Sequence, residues 1–368
     1  MEDQLVQSLN HRAVLHLFRA THGIAIPDAA VADIQSASAE QLVRISSSHG
    51  IAPMMADGLD QLDEGRLKID RDLGIFFQEI REGNRLRNMK MFAQLAEAAG
   101  ILLDNGIPVT VLKGGCVLAE LSRQQFHRRF IGDLDLLVAN ADMSRAVLAL
   151  EASGYDDALA VDTFSHSPDH HATPLVNRRH PAAIEIHRSI GGKDGERFLP
   201  AETIIGTAEE TEITNLRVPS RFNRLVHAVF HSQIQDSGYR DRVIVLRNIA
   251  DLVSLAADRD HVEEARRYFG QAGLKACFDS ILSATDILLP DKLPPHTREK
   301  DAETWARAAI RRIGTPRKAS FDIQTRKVSD WITDFATDRR QRAIYGSKLL
   351  KPGRVQRMLQ TLGKFRRY

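Results

Sequence analysis

Two aspartates one residue apart, Asp133 and Asp135, stand at the mouth of a short apolar run of Leu134, Leu136, Leu137 and Val138, with Gly132 before it and Asn140 and Asp142 after it. A short apolar run bounded by turn residues reads as a buried strand. Residues two apart on a strand point the same way, with about 6.6 Å between their Cα atoms. The two carboxylates therefore converge on one spot, at a cost in repulsion and desolvation that a cation would remove. Oxygen donors of this kind suit a hard divalent ion, Mg²⁺ or Mn²⁺. A second apolar run, Ala182 to His187, carries Glu185 and, on the same face, His187. If it pairs beside the first, the three acids Asp133, Asp135 and Glu185 could hold two metals about 3.5–4 Å apart, the arrangement used for in-line displacement at phosphorus.

Upstream, Pro108 to Leu112 reads as another strand and Cys116 to Leu121 as the start of a helix, with Lys113, Gly114 and Gly115 turning the chain between them. Glycines there let backbone N–H groups approach a phosphate at a helix N-terminus, and Lys113 adds a positive charge. Arg128 and Arg129 precede the aspartates, and a guanidinium forks well onto phosphate oxygens. Each feature alone has a plainer reading, as solvated carboxylates, an ordinary turn or a surface lysine. Their order in the chain carries the argument.

That order resembles the uncharacterised nucleotidyltransferase family of the polymerase-β-like superfamily. The resemblance rests on Leu112-Lys-Gly-Gly-Cys-Val-Leu118, Arg129 with Asp133-Leu-Asp135 and Val138, Gly154-Tyr155, His170-His171 and Ile184-Glu-Ile-His187, and extends from about Gln41 to Leu252. It implies an α+β fold: a small mixed β-sheet nucleotidyltransferase core with flanking helices, plus N-terminal and C-terminal helical regions. It implies that Gly114 and Gly115 form the turn, that Asp133 and Asp135 are the first two metal ligands and catalytic acids, and that Glu185 is the third. Arg129 is the arginine it favours for the triphosphate. The activity implied is Mg²⁺- or Mn²⁺-dependent transfer of an NMP group from an NTP, the substrate, to a hydroxyl or phosphate acceptor that is a protein, a peptide or a small molecule. One departure is Arg188, where the family often has an aromatic residue.

The elements that must position these residues follow from patterning. Apolar residues at helical spacing predict helices over Asp3–Thr21, Ala52–Leu62 and Leu73–Asn105. Ser38 with Gln41 forms a capping box that opens another. A helix from Met143 to Ser153 ends at Gly154, a natural C′ residue. The segment from Pro200 to Arg217 is polar and reads as a connector, and helices resume at Ser220. Asp251 lies on one of these, in the helical half that the resemblance packs beside the core. Expected boundaries are 1–90 for an N-terminal helical region, 91–215 for the transferase core, 216–335 for a C-terminal helical region and 336–368 for a basic tail.

Between the two acid-bearing strands lie His166, His170, His171 and His180. Their spacing matches no helical His-x-x-x-His zinc site, and Pro168 and Pro174 interrupt any helix. His171 and His187 are better read as lining the nucleotide pocket or positioning the acceptor. The tail carries only Lys and Arg as charges from Arg339 onward. It suits an anionic partner, although few aromatic residues accompany it, which argues against nucleic acid.

The chain has 368 residues, 43% hydrophobic and 27% charged, with a net charge of +2, so it has a globular composition and no global field for nucleic acid. Its two cysteines imply neither a disulfide framework nor a thiolate zinc site, and no apolar run is long enough to span a membrane, which fits a cytoplasmic protein. Two other readings compete with the enzyme: a non-catalytic nucleotide-binding or partner-docking module on the same fold, and a histidine-metal hydrolase.

Overall fold

The structure is a computed structural model that describes residues 6, 8–62, 71–157 and 171–313. One compact unit spans Met1–Gly314. The second, Thr315–Tyr368, lies outside the described residues, and with it the basic tail.

Helices α1 (Leu9–Thr21), α2 (Asp28–Ser36), α3 (Ala39–Ser48) and α4 (Met55–Gln61) open the chain. Ser38 caps α3 as the capping pattern requires, its hydroxyl accepting from the Gln41 N–H. The long helix α5 (Arg71–Asp104) leads into β1 (Val109–Val111), α6 (Gly114–Glu120), β2 (Leu134–Leu137), α7 (Met143–Ala152), β3 (Asp156–Asp157), β4 (Leu175–Val176) and β5 (Ile184–His187). After α8 (Gly192–Phe198) and α9 (Ala201–Gly206) come β6 (Glu209–Glu210) and β7 (Leu216–Val218). Helices α10 (Arg221–Phe230), α11 (Gly238–Asp241), α12 (Leu246–Leu255), α13 (Arg259–Gln271), α14 (Lys275–Leu288) and α15 (Lys300–Ile313) complete the fold. The expected α+β architecture is present: one mixed sheet amid many helices.

The sheet order is β3-β4-β5-β2-β1-β7-β6. At its centre β2 pairs parallel with β5 and antiparallel with β1, and β7 joins the far side of β1 in parallel. The supposed connector from Pro200 to Arg217 thus contains α9 and most of two strands. Leu216 and Val218 point inward around Arg217, a three-residue alternation too short to register as a period.

Strand alternation sorts β2 between two cores. Leu134, Leu136 and Val138 join Ile184 and Ile186 in a core closed by Met91, Leu95 and Leu102 of α5 and by Leu150 of α7. Leu137 lies in the other core, which also gathers the N-terminal helices and α10 through α15. Period two therefore puts Asp135 on the face with Leu137, toward this larger helical core. The N-terminal and C-terminal helices share that core, and Arg19 of α1 donates to the Leu288 carbonyl at the end of α14.

Candidate active site

Parallel pairing of β2 with β5 sets Asp135 directly opposite Glu185 and Leu137 opposite His187. Ligand atoms of Asp135, Glu185 and His187 all lie within 4.8 Å of one another. The His187 Nε2 stands 2.8 Å from Asp135 Oδ1 and 3.5 Å from Glu185 Oε2. Lys113 closes the group from the turn after β1, its Nζ donating to the same Asp135 oxygen at 2.7 Å.

These contacts set the charges. Burial alone would raise the Asp135 carboxyl, whose side chain is 1% exposed, but Lys113 and His187 override it and hold the group well below its ordinary value. Burial would likewise lower Lys113 and His187, and the carboxylates beside them raise both. The His187 contact keeps Glu185 low in spite of burial and of the nearby Asp135 charge. Asp133, half-buried just before β2, is different. Burial and then Asp135 push its carboxyl up, and Lys113 offsets this only in part. Asp133 is electrostatically coupled to the cluster but is not among the three residues whose ligand atoms meet.

The backbone explains the two glycines. A Cβ on Gly115 would lie 2.3 Å from Val111 Cγ2, and one on Gly114 would lie 3.1 Å from Ile131 Cγ2. The Gly115 N–H donates to the Leu112 carbonyl at 3.1 Å, closing a tight turn. Lys113 occupies that turn at φ 48°, ψ −126°, a conformation suited to glycine. A lysine there costs about 1–3 kcal/mol, offset by its grip on Asp135.

The remaining sequence-predicted residues divide. His171 bridges to His187, with ring centroids 5.2 Å apart, and its charge favours ionised Glu185. His180 is elsewhere, paired with Glu97 at 3.1 Å and stacked on Tyr155. His166 and His170 lie outside the described residues. Arg128 pairs with Asp57 at 3.2 Å. Arg129 pairs with Asp251 of α12 at 2.8 Å, at a cleft of about 180 Å³ that Lys113 also lines. The other walls of that cleft come from α6, α10 and α12.

Sequence reasoning missed what positions the loop before β2. Asn84 and Asn88 of α5, both buried, donate to the carbonyls of Phe126, His127 and Arg129, and Arg87 donates to those of Ile131 and Gly132. Farther along α5, Gln94 donates to the Ala182 carbonyl at 2.8 Å, just before β5. The available signal was a pair of amides four residues apart, in line with Met91 and Leu95 on the apolar face of α5. A buried amide needs a partner, and an irregular loop supplies one.

The strand pairing thus sets acids on adjacent parallel strands behind a Lys-Gly-Gly turn. Residues 35–286 match the model of a family described as uncharacterised nucleotidyltransferase, and the chain belongs to that family. No curated protein matches it. Among the described residues, no helix is long and apolar enough to cross a membrane.

Proposed function

We propose that the protein is a divalent-metal-dependent nucleotidyltransferase that moves an NMP group from an NTP to an acceptor hydroxyl. The observation that carries the reading is the register of β2 on β5, which places Asp135 and Glu185 side by side with His187 within 4.8 Å. The carboxylates of Asp133, Asp135 and Glu185 suit Mg²⁺ or Mn²⁺ by donor type. Asp135 and Glu185, with Asp133 beside them, would hold the ion, while His187, whose Nε2 is engaged with Asp135, would orient that carboxylate. Such an ion, when bound, neutralises charge on the phosphates and lowers the pKa of the attacking oxygen.

The chain's own residues do the rest. Lys113 and His187 keep Asp135 ionised and fixed in orientation. Gly114 and Gly115 keep the turn narrow, so the triphosphate can lie against its backbone, as a phosphate does in other glycine turns. Glu185, 20% exposed where Asp135 is closed off, orients the acceptor oxygen and takes its proton. A bond then forms from that oxygen to the α-phosphorus, the α–β bridging P–O bond breaks and pyrophosphate leaves. Catalysis here is positioning and charge neutralisation.

The test uses NTP labelled at the α- or the γ-phosphate, incubated with Mg²⁺ and candidate acceptors. Transfer requires α-label on the acceptor and γ-label in pyrophosphate. Release of γ-label as inorganic phosphate, with no α-label transferred, contradicts it.

A further inference from the structure

The cleft beside Lys113 has features that the carboxylate cluster does not account for. It runs along one face of α6, from Lys113 to Glu120, and is closed by α10 and α12. Asp133, Asp135 and Glu185 are not among its lining residues. Most of its charges are already matched: Arg129 with Asp251, and Arg224 with Glu120. Arg247, in the first turn of α12, is not. Its buried Nε has no hydrogen-bond partner, and among the described residues no acid forms an ion pair with its guanidinium. Burial lowers it, and the nearby Arg129 lowers it further. Two guanidiniums facing one cleft with one acid between them leave a place for an anion.

His227 of α10 provides the second feature. It is 5% exposed, it lines the cleft, and its Nε2 is buried with no hydrogen-bond partner. Burial, with His231, Lys113 and His187 adding to it, holds it well below its ordinary value, so it is a neutral imidazole near neutral pH. It shares the cleft with Lys113, which holds Asp135, and the charges of Lys113, Asp135 and His187 act on it; Arg129, Asp251 and Asp133 act on Arg247. A buried ring nitrogen without a partner is costly and calls for a hydroxyl.

Size selects between the two substrates. A volume of about 180 Å³ falls below the range of about 300–1,000 Å³ common for drug-sized ligands, which favours the smaller of the two substrates. We propose that it is the acceptor subsite and takes a compact alcohol bearing a phosphate group, with Arg247 on the phosphate and His227 ordering the hydroxyl toward the carboxylates. This rests on the nucleotidyl-transfer reading of the adjoining cluster.

The experiment is calorimetry of the full chain with inorganic phosphate at constant ionic strength, first in chelator and then with Mg²⁺ and a saturating non-hydrolysable ATP analogue. Phosphate should bind the wild type. Binding should weaken about tenfold or more in Arg247→Gln, one charge-assisted fork being worth at least that. Arg266→Gln, whose arginine is held by Asp279 and Glu299, should bind as wild type does. Phosphate affinity should be the same with the nucleotide analogue bound. If Arg247→Gln melts early, Arg247→Lys decides: it keeps stem and charge but loses the fork, and should still bind severalfold more weakly. Unchanged phosphate binding in the Arg247 variants overturns the proposal, as does displacement of phosphate by the analogue, which would give the cleft to the donor. Phosphate binding without any nucleotide binding overturns the transfer reading and leaves the anion site standing.

Discussion

Two buried aspartates in this protein each hold a lysine at hydrogen-bond distance: Asp135 with Lys113 at 2.7 Å and Asp279 with Lys275 at 2.8 Å. Around Asp279 the charges balance. Arg266 forks onto both of its oxygens at 2.7 and 3.2 Å, and Glu299 completes a group of two acids and two permanent cations. Around Asp135 they do not. Asp133, Asp135 and Glu185 crowd together with Lys113 as the permanent cation that acts on all three, His187 and His171 lie beside them, and the lysine sits in a strained turn. A closed ion-pair group stabilises and is finished, whereas an excess of carboxylate held in a strained frame suits a site that awaits a cation.

The largest effect that would break this contrast is at Asp135. Asp135→Asn should reduce Mg²⁺-dependent transfer by at least ~10³. It should also cost about 3 kcal/mol of stability, because Lys113 and His187 lose their buried partner. Asp279→Asn should lower the melting temperature in the same way and leave transfer unchanged. Equal loss of transfer in both variants would mean that the two clusters do not differ as described.

Asp133→Asn sharpens the comparison within the site. Transfer should fall as steeply, yet the metal-free protein should melt at the same temperature or higher, since its carboxyl is pushed up and ionising it costs stability. Repulsion between the two carboxylates, taken by itself, would let either be neutralised without loss of stability. The contacts of Asp135 reverse that expectation for one of the two.

The lysine turn comes next. Lys113→Gly and Lys113→Ala both remove the ammonium, but only glycine accepts φ 48°, ψ −126° without strain. The glycine variant should be more stable than the alanine variant by about 1 kcal/mol in denaturant titration. No difference would mean that the turn carries no strain.

A smaller effect concerns pH, measured on metal-free protein. The folded-state pKa of Asp135 is depressed, so its contribution to stability is complete above its ordinary value of 3.8 and is lost as pH falls below it. That of His187 is raised, so its contribution is complete below 6.5 and is lost as pH rises through the higher folded value. In His187→Gln the alkaline limb should flatten. Least of all, Glu196→Gln, outside the cluster, should leave transfer unchanged.

The sequence disclosed those parts of the site whose signal is local. The apolar run around Asp135, the run ending in His187 and the hydroxyl cap at Ser38 all follow from neighbours within a few residues. The pairing that sets Asp135 beside Glu185 was foreseen as a condition, because two strands of matching character can pair in more than one register. What stayed hidden depends on distant partners. Arg129 meets Asp251 across 122 positions, and Asn84 reaches the Arg129 carbonyl across 45. The strain at Lys113 is a dihedral angle that a turn of lysine and two glycines does not reveal.

The central claim, that the carboxylates of β2 and β5 bind nucleotide through a divalent cation, is tested most directly by calorimetric titration of ATP, GTP, CTP and UTP. Each is titrated into the wild type and Asp135→Asn, with Mg²⁺ and with chelator. At least one nucleotide should bind the wild type with Mg²⁺ and bind neither the chelated protein nor the folded variant. Equal affinity in chelator, or an Asp135→Asn protein that binds as the wild type does, would contradict the account.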